Sequence, residues 1–143
     1  MSEILIPQME PWFDDAEVNA TTQYMKSGGW LTEFKKTEEL EKMLADYTGA
    51  KHCIMVSNGT VSLIMALLTL NIGKGDEVLI PNMTMIASPN SVILIGATPV
   101  LVDIEKSTLC IDLVKAKKAI TKNTKAMMYV PLNGRSGDMN EVV

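Results

Sequence analysis

Four small polar residues, Ser57, Asn58, Gly59 and Thr60, stand directly ahead of residues 61–70, which are apolar on nearly every face. A helix opening there leaves its first N–H groups without intrahelical acceptors, at the partly positive end of its dipole. Such an end suits an anion, and a phosphate in particular. Gly59 lets the backbone approach closely, and the Thr60 hydroxyl adds a hydrogen bond. The plain alternative is an ordinary strand-to-helix turn with Thr60 as its cap. The stretch lacks both a Gly-Lys-Ser/Thr ending and G-x-G-x-x-G spacing, so it is neither of those two nucleotide loops.

Other chemistry-bearing residues offer less. His52 is the only histidine, and one histidine makes no metal site. Cys53 and Cys110 are far apart, without metal or redox spacing, and read as buried free thiols of a reducing cytosol. Lys51, Lys74 and Lys106 fall in turns. Lys115, Lys117 and Lys118 fall on a helix whose apolar side is Leu113, Val114, Ala116 and Ile120, and all these lysines read as solvated. Gly134, Arg135 and Gly137 spell either a second anion-binding turn or a surface loop. Asp103 ends a strand and receives no role. No residue is assigned to catalysis.

The elements that must position the Gly59 loop follow from periodicity. Residues 13–29 read as a helix capped by Asp14, with Glu17 as the reciprocal partner, and stopped by Gly28 and Gly29. Residues 37–49 read as a second helix, with Leu40, Met43, Leu44 and Tyr47 at i, i+3, i+4, i+7 spacing. From Lys51 onward strands are expected at 52–56, 76–81, 98–104 and 124–132. Helices are expected at 61–71, 87–96 and 112–120, the last capped by Asp112. Strand and helix alternate four times, which implies a parallel, doubly wound α/β sheet covered on both faces. A segment 1–50 of helices then precedes a sheet domain 51–143. The closing "GDMNEVV" reads as a helix capped by Asp138, with Val142 and Val143 in its first apolar turn. That reading implies the front part of a longer polypeptide, with an open sheet edge and a tendency to aggregate.

Composition excludes several classes. A net charge of −4, a pI near 5.0 and no Lys/Arg block argue against nucleic-acid binding. Hydrophobic residues at 47% and charged residues at 21% fit a globular chain. The opening "MSEILIPQMEP" lacks a basic region followed by a long apolar run, so no signal peptide is expected. The longest apolar run falls short of the roughly 20 residues a membrane helix needs. A cytoplasmic protein without membrane partners is the expectation.

Several segments, taken in order, resemble the DegT/StrS type of nucleotide-sugar aminotransferase. They are "GAKH" at 49–52, "SNGT" at 57–60, "GDEVLIP" at 75–81, "TMIASPN" at 84–90 and "GATPVLVDI" at 96–104. "TKAMMYVPLNGRSGDM" at 124–139 is similar to a later strand and G-x-x-x-D-M segment of that family. The resemblance runs from about Gly28 to Val143. It implies part of the large domain of the fold type I architecture of pyridoxal 5'-phosphate (PLP) enzymes, a homodimer, and amino transfer from glutamate to a nucleotide-linked keto-sugar. It implies that Gly59 and Thr60 hold the PLP phosphate and that Met85, where the family usually has an aromatic, lies against the pyridine ring. A thioether on a ring contributes about 0.3–1.5 kcal/mol. Trp30, in "GGWLTEF", is similar to a Trp-bearing loop near substrate and dimer interface, here shortened ahead of Phe34. The lysine that binds PLP covalently and the carboxylate that pairs with the pyridine nitrogen are implied beyond Val143. Alternatives are a PLP-dependent sugar dehydratase of the same family, or a non-catalytic piece that binds a phosphorylated ligand or a partner chain.

Overall fold

The computed structural model describes residues 9–30 and 35–142. Residues 1–8 of the opening stretch, residues 31–34 with Phe34, and Val143 lie outside the described residues. The chain divides into two compact units, Met1–Met55 and Val56–Val143.

In the first unit, α1 spans Asp15–Lys26 and α2 spans Lys35–Thr48. The Asp14 carboxylate accepts from the Ala16 N–H at 2.7 Å, and Glu17 accepts from the Asp14 N–H at 2.8 Å. This is the expected capping box, and a cap of this kind contributes about 1 kcal/mol. Gly28 and Gly49 stop the two helices in the left-handed region, at φ +72° and +73°. Neither helix buries a residue. Tyr47 is 90% exposed and Met43 67%, so the apolar stripe of α2 is present but uncovered.

Residues 52–56 are not a strand. A strand exists only through pairing, and this segment has no ladder partner among the described residues. The Met55 N–H instead donates to the Glu41 carboxylate at 2.7 Å, and Ile54 is exposed.

The second unit carries the sheet. α3 spans Gly59–Thr69, β1 Glu77–Pro81, α4 Ala87–Leu94, β2 Thr98–Val102, α5 Leu113–Ala119, β3 Thr124–Met127 and α6 Met139–Val142. Helix α3 begins two residues earlier than expected, and β3 ends before the expected Leu132, which opens a 3-10 turn at Leu132–Gly134. The three strands are parallel in the order β2-β1-β3.

Central β1 explains the layering. Its side chains alternate between the two sheet faces. Val78 and Ile80 pack with Leu67, Ile72, Val92 and Ala97, which belong to α3, α4 and the turns that follow them. Leu79, on the other face, packs with Val102, Ile111 and Ala116 of the α5 side. Each such buried aliphatic side chain contributes roughly 1.5–3 kcal/mol. The edge strands are less covered than expected, with Leu101 of β2 exposed. The doubly wound arrangement therefore holds around three strands among the described residues, one fewer than the periodicity suggests.

Candidate functional site

Three facts fix the orientation of the helices. α4 leaves the carboxyl end of β1 through residues 82–86 and returns to the amino end of β2, so it runs against the strands. α3 packs on α4. The turns after the two helices meet: a Cβ on Gly73 would lie 3.9 Å from the Ile95 carbonyl oxygen, and one on Gly96 would lie 3.9 Å from the Lys74 backbone nitrogen. Their far ends therefore point the same way, and the Gly59 end of α3 lies toward the carboxyl ends of the strands.

The start of α3 is built for an acceptor. The Asn58 side chain, not Thr60, is the cap, and it accepts from the Val61 N–H at 3.0 Å. Thr60 sits inside the first turn. The Ser62 N–H is taken by the Asn58 carbonyl. Among the described residues nothing accepts from the Gly59 or Thr60 N–H. Gly59 has no left-handed φ, and a Cβ there would meet nothing within 4 Å. The chain itself does not require glycine at this position. Open space over two unclaimed amides at a helix start is what a phosphate needs.

Sheet connectivity points to the same end. α4 follows β1 on the face of Val78 and Ile80. α6, which follows β3, lines a groove with Leu79 and Ala116 on the opposite face. The chain thus leaves adjacent strands β1 and β3 toward opposite faces, and open α/β sheets bind ligands at strand carboxyl ends where connections part in this way. Met85 lies in the 82–86 connector on the β1 side and is 78% exposed. No part of the fold covers its side chain. The Thr84 and Ser88 hydroxyls, 2.9 Å apart, tie the connector to α4, and Ser88 is buried.

Sequence reasoning missed a polar network at the same edge. Asn82 follows β1, and its side-chain amide donates to Asp103 Oδ1 at 2.7 Å. Asp103 follows β2, and its Oδ2 accepts from Lys115 Nζ at 2.9 Å. Asp112 stands 3.8 Å from the same ammonium. The hydrogen bond and charge of Lys115 hold the Asp103 carboxyl below its ordinary value, and Asp103 in turn holds Lys115 above its own. Lys115 is thus paired and only half exposed, rather than fully solvated. A polar residue placed directly after each of two neighbouring strands was the available signal.

On the β3 side, the Gly137 N–H donates to the Tyr129 hydroxyl at 2.6 Å. The buried Cys110 thiol beside that phenol pushes it up from its ordinary value. The 134–137 segment is therefore a buttressed loop, with at least one amide already engaged. Cys53, read as buried, is half-buried. In the first unit Trp30 is exposed, and its carbonyl accepts from the Tyr24 hydroxyl at 2.9 Å. His52 lines a polar hollow with Glu38, Glu41, Lys42 and Asp46, and no metal-holding group of His, Cys, Asp and Glu occurs among the described residues.

Comparison with known proteins agrees with the α/β fold. The chain is 35% identical to the UDP-4-amino-4-deoxy-L-arabinose–oxoglutarate aminotransferase of Shewanella sediminis over 142 residues, 99% of this chain and 36% of that protein. It superposes on the PLP form of a candidate sugar aminotransferase from Streptococcus pneumoniae with a TM-score of 0.88 and 36% identity, covering 96% of this chain and 35% of that one. A GDP-4-keto-6-deoxymannose-3-dehydratase structure, holding a trapped PLP-glutamate geminal diamine, matches at TM-score 0.84 and 27% identity, over 95% of this chain and 36% of that one. The chain spans about a third of the length of the relatives it matches. The profile of one family covers residues 12–143, and with it the α3 start, the 82–86 connector and every strand of the sheet. The chain belongs to the DegT/DnrJ/EryC1/StrS aminotransferase family.

Proposed function

We propose that the start of α3 and the 82–86 connector hold the phosphate and ring of PLP in an enzyme that moves an amino group from glutamate to a nucleotide-linked keto-sugar. The observation that carries this reading is the pair of unclaimed amides at Gly59 and Thr60 in open space. Those amides donate to the phosphate oxygens, and the Thr60 hydroxyl adds a third donor. Met85 packs its thioether on the ring. When bound, the cofactor supplies an electron sink for amino-group transfer. No lysine within residues 1–143 is assigned the covalent or proton-shuttling role. Association as a homodimer and a cytoplasmic location belong to the same reading; the unpaired thiols of Cys53 and Cys110 support a reducing compartment.

The test is titration of the full-length protein with PLP, followed by absorbance. Gly59→Val should weaken binding at least about ten-fold, because its side chain would occupy the space over the two amides and keep the phosphate from at least one charge-assisted hydrogen bond, each contributing roughly 1.5–3 kcal/mol. It should leave thermal stability nearly unchanged, because its side chain enters empty space. Equal PLP affinity in wild type and Gly59→Val would overturn the assignment. Borohydride reduction of the PLP-loaded protein should fix no defined lysine within residues 1–143. A second reading, removal of a sugar hydroxyl instead of amination, is favoured by the similarity to the dehydratase. Incubation with glutamate and a nucleotide-linked keto-sugar separates the two, since only transamination leaves nitrogen on the sugar.

A further inference from the structure

We infer that Asp103 is a positioning residue: with Lys115 behind it, it fixes Asn82 and thereby sets where the 82–86 connector presents Met85. The geometry is a relay from one strand end to the next. Lys115 Nζ holds one oxygen of Asp103, and the other oxygen receives the Asn82 amide. The Asn82 backbone N–H also donates to the Val102 carbonyl at 2.8 Å, so the first residue of the connector is pinned twice to the end of β2. The far end of the connector is pinned by the Thr84–Ser88 hydroxyl pair and by the Ser88 N–H donating to the Met85 carbonyl at 3.0 Å. Between these anchors Met85 has little freedom of backbone but keeps an exposed side chain. Asp112 completes the arrangement. Its side chain caps α5 through the Lys115 N–H at 3.0 Å, and its own N–H donates to the Asp103 carbonyl at 2.9 Å. Removing the Asp103 charge releases Lys115 and weakens the hold on Asn82 together. The contacts are partly solvated, so the expected effects are several-fold rather than absolute.

The consequence for a cofactor rests on the function proposed above, and the experiment separates the two. Without PLP, amide hydrogen exchange at residues 83–86 of the full-length protein should quicken several-fold in Asp103→Asn and Lys115→Met. Lys115→Arg and the exchange N82D/D103N, which keeps an amide–carboxylate bond between the strand ends, should restore it. Unchanged exchange in Asp103→Asn overturns the inference whatever the cofactor does. With PLP, Asp103→Asn should weaken binding about three-fold and alter the visible circular dichroism of the bound cofactor. The same change in a Met85→Ala background should add nothing, because the effect passes through Met85. Equal losses in both backgrounds would show a general structural role and overturn it. If wild type takes up no PLP while the exchange result holds, the functional reading fails and the ordering role stands.

Discussion

Residues 9–30 with 35–55, and residues 56–142, are stabilised by different physics. The first region holds local structure: a capping box, two glycine stops, and ion pairs one turn apart such as Lys42–Asp46. Its helices bury nothing. The second region is organised around one strand, β1, whose neighbours come from residues 98–102 and 124–127 and whose side chains divide two clusters. The contrast shows that an amphipathic pattern specifies an element without specifying what covers it. The anion-ready helix start belongs to the second region, where tertiary contacts fix its direction.

The comparison can be broken by mutation. Leu79→Ala should cost about 2–5 kcal/mol, read from urea unfolding. Met43→Ala, equally drastic in chemistry, should stay within about 0.5 kcal/mol. Equal costs would mean that the α2 stripe is covered in solution and that the contrast is false. Asp14→Ala should cost about 1 kcal/mol and be felt only as lost exchange protection over α1, with β1 unchanged. A response in β1 would show the two regions to be coupled. Asp46→Asn, which breaks the pair with Lys42, should change stability by less than about 0.5 kcal/mol.

The polar network sharpens the picture through pH. Asp103 is held below its ordinary value, so its contribution is full above the unfolded carboxyl value, about 3.9, and is lost as pH falls through the lower folded value. Lys115 is held above its ordinary value, so its contribution is full below about 10.4 and is lost as pH rises past that. The Asn82 side-chain amide resonance should therefore stay fixed from pH 5 to about 9 and move only in strong acid or strong base. Movement near neutrality would point to another titrating partner.

Much of this was legible from residues alone. Asp14, Asp112 and Asp138 act as the caps their positions suggest, because a cap depends only on the next three residues. β1, β2 and helix α4 between them follow from period and turn signals. Most of what failed is non-local. Residues 52–56 look like a strand, yet strand identity depends on a partner that pattern does not supply. Asn58 displaced Thr60 as the cap because both are competent, and the choice falls to which residue leaves helical geometry first. The Asn82–Asp103–Lys115 relay joins residues 21 and 12 apart, and no periodicity brings them together.

The β2-β1-β3 order also sets a schedule for the nascent chain. β1 sits at the centre but is made first of the three strands. One of its edges is met soon, by Thr98–Val102; the other must wait until Met127 has left the ribosome. At about 5–20 residues per second, an apolar central strand stays half-paired for some seconds during translation. That interval is when a chaperone or a neighbouring nascent chain would meet it.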